Sequence, residues 1–326
     1  MKNRKPLPAI ALIAGGSGDR ELLSVRAAAM LDQAEVVVCD PEVAALLSGS
    51  DAEVLDLPTA PTDAAAVAKA LVEQARAGRH AVRLFAGDPI ADGRVIAEAK
   101  ALHRSKVPFE ILPSAADVSG IAAYAGIGLV GPKSKQVRVV NLLTSQLEED
   151  ALADATATLV VRHAADAAAG IAKAALAAGR TPTTPLVVVR GGTTVEQQTV
   201  VTTLGDAAAD LKAAKVTGDG DVFLGEAVGS AGALGWFESR PLFGWRVLVP
   251  RTKDQAGDLS AQLRLYGAVP VEVPTISVEP PRTPQQMERA IEGIEAGRYQ
   301  WIAFTSVNAV TAIRERFEQR GLDARH

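Results

Sequence analysis

Short apolar runs alternate with alanine-rich stretches of helical spacing along the first 230 residues. The runs are AIALIAG from Ala9, EVVVCD from Glu35, HAVRLFAGDP from His80 and PFEILPS from Pro108. Helical stretches follow them, at Leu22 to Ala34, Ala64 to Ala77, VIAEAKALHRS from Val95 and VSGIAAYAG from Val118. A strand followed by a helix on short loops, repeated, predicts α/β architecture with a largely parallel sheet. The polar GPKSK at Gly131 to Lys135 breaks the series. A second one then runs through VRVVNLL, ATLVVRH, a helix over Ala165 to Ala178, PLVVVRGG and DVFLGEAV. Within it EQQTVVTT alternates like an antiparallel strand. Residues 1–230 therefore read as one domain of two lobes, 1–130 and 131–230, and the Gly-rich 231–243 as a linker. A third unit, 244–326, opens with the strand WRVLVPRT and the helix DQAGDLSAQLRLYG. An extended VPVEVPTISVEP, a helix QQMERAIEGIEAG, and a strand and turn in YQWIAFTSVNAV complete it.

A length of 326 residues exceeds one ordinary core and agrees with about two domains. With 48% hydrophobic and 22% charged residues the composition is globular. A net charge of −4 with scattered Lys and Arg leaves no nucleic-acid footprint. The lone Cys39 excludes a disulfide framework, and four histidines without a close pair argue against a metal site. The apolar run Ala9 to Ala14 is shorter than the roughly 7–15 residues of a signal core, and nothing approaches the ~18 of a membrane span. No membrane association and a cytoplasmic location are the expectations.

Gly15-Gly16-Ser17-Gly18-Asp19 forms a strand-to-helix turn that either presents amides to a polar ligand or simply turns tightly. It is not a GxGxxG, so a dinucleotide is a poor fit. Asp88 serves equally well as a site carboxylate or a helix cap. Cys39 reads as a buried small residue, and His163 as a loop histidine between a strand and a helix. Trp236 and Trp245, which bracket the linker, are expected to plug a domain junction. Thr305-Ser306 suits a helix N-cap as well as a ligand contact.

Val249-Pro250-Arg251, Gln255-Ala256 and Phe304-Thr305-Ser306-Val307-Asn308 resemble, in order and spacing, the opening of uroporphyrinogen-III synthase. The resemblance implies cofactor-free ring closure of hydroxymethylbilane with inversion of the last ring, achieved by positioning. It makes Arg251, Thr305, Ser306 and Asn308 the candidate substrate contacts. The later strands of that family have no counterpart before His326. An incomplete α/β synthase domain, unable to accelerate type III closure as given, is the expectation.

The first 230 residues resemble the tetrapyrrole methylases, in particular uroporphyrinogen-III C-methyltransferase. The matching residues are Gly16 to Ser24, Asp40, Arg83-Leu84, Gly87-Asp88-Pro89, Gly93-Arg94, Pro108 to Glu110 and Ala123 to Ile127. In the second lobe they are Ala178 to Pro185, Gly192-Thr193, Gln197-Gln198 and Gly225 to Val228. The resemblance implies a two-lobed α/β methylase domain, S-adenosyl-L-methionine as cofactor, uroporphyrinogen III as substrate and a homodimer. It implies Asp40 as general base, with cofactor contacts at Gly16, Gly18, Gly87, Asp88, Ala116, His163 and Gly192. The chain departs from the family pattern at Ser17, Pro41, Ala86, Ala91-Asp92, Ser114 to Ala116, Pro132-Lys133 and His163, and has no lysine over Val54 to Thr62. Two readings stay open: a divergent methyltransferase, or a degenerate methylase fold that supports a synthase in haem, sirohaem or cobalamin synthesis.

Overall fold

The structure, a computed structural model, describes residues 9–55, 63–115, 117–250, 253–273 and 284–322. The chain forms two compact units. The first runs to Trp245 and includes Tyr266–Val269; the second comprises residues 246–265 and those after 269.

The first lobe of the first unit is a parallel sheet of β1 (Ile10–Ala14), β2 (Val36–Cys39), β3 (Glu53–Val54), β4 (Ala81–Phe85) and β5 (Phe109–Leu112), in the order β3-β2-β4-β1-β5. Side chains alternate between its faces with period two. Ile10, Leu12, Val38 and Phe85 meet the apolar sides of α2 (Ala64–Arg76) and α3 (Arg94–Arg104). Ala11, Ile13, Val37 and Leu84 meet Ala27 and Leu31 of α1 (Val25–Asp32) and the 3-10 turn Pro41–Leu47. Covered on both sides, β1 is apolar at every position, which is why it reads as an unbroken run. The helix expected from Leu22 begins at Val25 because Ser24 Oγ accepts from Ala27 N at 3.1 Å and caps it there.

The second lobe has β6 (Gln136–Asn141), β7 (Ala157–Arg162), β8 (Pro185–Arg190), β9 (Gln198–Thr203) and β10 (Asp221–Leu224) in the order β6-β7-β10-β8-β9. Only β6–β7 is parallel; β10 runs antiparallel between β7 and β8, and β9 antiparallel beside β8. The sheet is thus mixed where the alternation of elements suggested a largely parallel one. The antiparallel character of β9 agrees with its alternating pattern. One face carries α5 (Glu149–Ala153), α6 (Ala168–Ala177) and α7 (Ala207–Ala213). The other receives α4 (Val118–Tyr124), whose Ile121 and Ala122 pack with Val160, Val187, Val189 and Phe223.

The stretch expected as a linker, 231–243, lies within this first unit. After α8 (Ala231–Leu234) it crosses α4. Trp236 Nε1 donates to Ala123 O at 2.9 Å, and the Tyr124 ring sits 5.2 Å from Trp236 and 4.6 Å from Phe237. Phe237 is 5% exposed. The approach is close enough that a Cβ on Gly126 (φ +69°) would come within 2.3 Å of Leu234 O. Trp236 therefore seals this strap onto α4, while Trp245 stays largely exposed.

The second unit pairs β11 (Arg246–Val249) with β12 (Val269–Glu272) and adds α9 (Lys253–Leu265), α10 (Pro284–Glu295) and α11 (Val307–Arg320). Arg320 on α11 pairs with Glu288 and Glu295 of α10. The expected strand at 301–304 is not formed: those residues have no regular structure and Trp301 is 90% exposed. A strand is held by ladder bonds to a neighbour, and none of the described residues pairs with this segment.

Candidate functional site

The loops that leave β1 and β4 meet at the carboxyl edge of the first sheet, where open parallel sheets present their ligand contacts. Gly15 N donates to Phe85 O at 2.7 Å, so close that a Cβ on Gly15 would strike that same oxygen. Gly16 and Gly87 exchange two bonds, Gly16 N to Gly87 O at 3.2 Å and Gly87 N to Gly16 O at 2.8 Å. Gly16, Gly18 and Gly87 all have positive φ (+57°, +86° and +66°), a backbone state that glycine adopts without a steric penalty. A Cβ on Gly87 would meet nothing within 4 Å, so this turn faces open space. The Asp88 carboxylate accepts from Ile90 N and Ala91 N at 2.9 and 3.2 Å and ties its own loop. It does not cap α3, whose N-cap is Gly93.

Asp40, 4% exposed, is the keystone of these loops. One oxygen lies 2.6 Å from Arg83 Nη2; the other lies 2.7 Å from Arg94 Nη1 and accepts from Ala86 N at 2.9 Å. Arg94 also reaches Asp92 at 2.7 Å and Ala86 O at 2.5 Å, so one guanidinium staples both ends of the 86–92 loop. Arg83, 1% exposed, donates to Leu84 O at 2.8 Å, pairs with Glu98 at 3.2 Å and lies over the Phe85 ring. Burial pushes the Glu98 carboxyl up to about 7, with Arg83 opposing the shift. Burial and then Asp40 push the Cys39 thiol up to about 11, which removes it as a nucleophile. Both oxygens thus face guanidinium groups, and the carboxylate ties the end of β2 to the loop that leaves β4. The residue expected from the resemblance as general base is also the anchor of these loops.

The second lobe contributes the turn between β8 and β9. A Cβ on Gly192 would lie 2.9 Å from Ile121 Cγ1, so only glycine lets α4 pack there. Thr193, 2% exposed and at φ +67°, donates its amide to Gln197 Oε1 at 2.8 Å. Its hydroxyl donates to Ser17 Oγ at 2.8 Å, a direct bond between the two lobes. His163 also has positive φ, +55°. Its Nδ1 lies 2.9 Å from Asp219 and its amide donates to Asp221 at 3.2 Å. Burial raises the Asp221 carboxyl, against the pull of Arg162.

The structure thus gathers Asp40, Gly16, Gly18, Gly87 and Asp88 at one edge of the first sheet. Gly192 and His163 follow β8 and β7, which run the same way because both oppose β10. Ala116 and Arg251 lie outside the described residues, as does the Asn308 side chain. Thr305 is exposed, and Ser306 caps α11 by accepting from Ala309 N at 3.2 Å. Sequence reasoning missed the parts played by Arg83, Arg94 and Glu98. The available signal was Arg83 itself, a charge inside an apolar strand, which demands a buried partner. Among the described residues no cluster could hold a metal ion, and no helix is long and apolar enough to cross a membrane.

This fold and its glycine loops define a two-lobed methylase. The family of tetrapyrrole (corrin/porphyrin) methylases matches residues 9–208, more than half of the chain, and the chain belongs to that family. Residues 257–326 match the uroporphyrinogen-III synthase HemD family. The porphyrin biosynthesis protein HemD of Ruminiclostridium josui is 28% identical over 97% of this chain and 65% of its own length. The sirohaem synthase of Azotobacter vinelandii is 32% identical over 72% of this chain and 53% of its own. The chain therefore spans less than two thirds of either relative. Among solved structures, a cobalt precorrin-4 methyltransferase is 26% identical with a TM-score of 0.59, covering 67% of this chain and 94% of that one. The uroporphyrin-III C-methyltransferase of Thermus thermophilus with S-adenosylhomocysteine is 28% identical with a TM-score of 0.55, covering 67% and 98%.

Proposed function

We propose that the chain serves tetrapyrrole biosynthesis as a methylase joined to a uroporphyrinogen-III synthase region. In this reading the first unit binds S-adenosyl-L-methionine between its lobes and methylates uroporphyrinogen III. The observation that carries it is the open space at Gly87, in a turn held by Gly16, Asp40 and Arg94 beside a loop that Ser17 and Thr193 join to the second lobe. Such a cradle fits a ligand held by backbone groups. The cofactor supplies an electrophilic methyl group when bound. The chain's own residues fix the loops: Gly16, Gly18 and Asp88 set their shape, and the Asp40–Arg94 staple fixes 86–92. Gly192 admits α4, and Thr193 joins the lobes. In the synthase region, Thr305 and Ser306 with Arg251 and Asn308 would contact the carboxylates of hydroxymethylbilane. We place the protein in the cytoplasm as a homodimer through the first unit, a reading supported by the exposed Val139 and Leu143 at and just beyond the edge strand β6.

A second reading, a silent methylase fold that supports the synthase, is favoured by one specific observation. The amides of Gly16, Gly18 and Gly87 are already used inside the loops, and both Asp40 oxygens face guanidinium groups. Isothermal titration with S-adenosylhomocysteine separates the two. Binding that Gly87→Val abolishes in a folded protein supports the methylase, whereas no heat at millimolar ligand leaves the scaffold.

A further inference from the structure

The segment after the second lobe is wired to the glycine loop of the first. Glu238 on the strap accepts from Gln197 Nε2 at 2.9 Å and from Thr199 N at 3.3 Å. Gln197, 4% exposed, accepts the Thr193 amide at 2.8 Å and so holds Thr193 in its left-handed conformation. Thr193 in turn donates to Ser17 Oγ. Gln197 Nε2 also lies 3.4 Å from Tyr124 O, at the end of α4, where Trp236 and Phe237 are packed. Each of these bonds is either buried or half-buried, where hydrogen bonds are strong and costly to leave unmade. We infer that Glu238 is a positioning residue for the cleft of the first unit, acting through Gln197 and Thr193 to fix Ser17 and the loop Gly15–Asp19.

A non-glycine residue at φ +67° persists only where its surroundings over-determine it. The surroundings of Thr193 are the amide bond to Gln197 and the hydroxyl bond to Ser17, and Gln197 is itself fixed by Glu238. Removing Glu238 takes the shortest bond from Gln197 Nε2 and leaves it only Tyr124 O and Thr199 Oγ1, each at 3.4 Å, so the amide group is held less firmly. The strained turn then relaxes and the bond between the lobes is lost. The strap is thus part of the site, and its contribution crosses from one lobe to the other.

The inference rests on the methylase reading for its ligand, and its test keeps the two separable. Hydrogen exchange on the full chain, without ligand, reports the loop directly. Glu238→Ala and Ser17→Ala should each speed exchange at residues 15–19, and Glu238→Gln, which keeps an acceptor for Gln197, should do so less. Titration with S-adenosylhomocysteine should show about tenfold weaker binding for either alanine variant, the factor that loss of about 1.4 kcal/mol produces. Because both act through one relay, the double variant should also lose about tenfold, not about a hundredfold. A lowered melting point with unchanged exchange at 15–19 would mean that Glu238 only holds the strap, and would overturn the inference, as would additive losses in the double variant. If the wild-type protein does not bind S-adenosylhomocysteine, the methylase reading fails while the exchange comparison still decides the relay.

Discussion

Asp40→Asn separates a keystone from a base. The substitution keeps size and one acceptor but removes the charge that faces Arg83 at 2.6 Å and Arg94 at 2.7 Å. Arg83 is 1% exposed and would keep its bond to Leu84 O but only one carboxylate among the described residues, the buried Glu98. Removing one partner of a buried pair costs about 3–5 kcal/mol, because the remaining charge stays out of water. The Arg94 side chain is 40% exposed, so its share is discounted to less than about 1 kcal/mol. A total near 3 kcal/mol is expected at the low end, since Asn can still accept one bond. For a unit of this size that corresponds to a melting point lower by roughly 6–12 °C. Calorimetry and urea denaturation measure it, alongside methyl transfer to uroporphyrinogen III. A variant that melts like the wild type yet has lost transfer would refute the argument and restore Asp40 as the proton acceptor.

Glu98 gives a pH dependence of defined sign. Its folded carboxyl is raised from 4.5 to about 7 by burial, so its contribution to stability is complete below the unfolded value and is lost as pH rises through about 7. Relative to Glu98→Gln, the wild type should lose up to about 1.4 kcal/mol per pH unit between those values. Parallel urea-midpoint profiles for the two proteins would dismiss the effect. Two glycines should respond to alanine with opposite signs. Gly192→Ala forces a Cβ to within 2.9 Å of Ile121 and should cost about 1–3 kcal/mol. Gly170→Ala, in the first turn of α6 with nothing within 4 Å of its Cβ, should stabilise by up to about 1 kcal/mol. Equal melting points for both variants would show that neither environment is as described.

The strands β1, β2 and β4 were legible because they are buried on both faces and so read as nearly continuous apolar runs, whereas the two exposed residues of β3 left no such pattern. Their order was not, and neither was the insertion of β10 between β7 and β8, since pairing is chosen by contacts the linear pattern does not record. The segment Trp301 to Phe304 has strand composition without a strand, because propensity describes a fit to neighbours and not a property of the segment. The site divides in the same way. Resemblance pointed to Asp40 and the glycines, and those residues do converge. What their side chains do depends on Arg83, Arg94 and Glu98, which are 43, 54 and 58 positions from Asp40; Arg83 signals that a buried partner is needed, but nothing local says which. A carboxylate matched by position alone is therefore an ambiguous base.

The strap shows why composition misled at the other end of the unit. Residues 231–243 contain glycines, a proline and polar residues, the usual marks of a linker, but also Trp236, Phe237 and Phe243. A solvated linker gains nothing from three large apolar rings, whereas burying each contributes on the order of 2 kcal/mol. Here Phe237 is buried between Tyr124 and Phe243, and Arg240 lies over both Trp236 and Phe237. The family match stops at residue 208, before β10, the strand that joins β7 to β8, and before Glu238. A fragment cut at the match would therefore lose the middle of a sheet, and one cut at 230 would lose the acceptor that fixes Gln197. The first unit continues through the strap to Trp245 and takes in Tyr266–Val269, so a measurement on that unit needs the chain well past the family match.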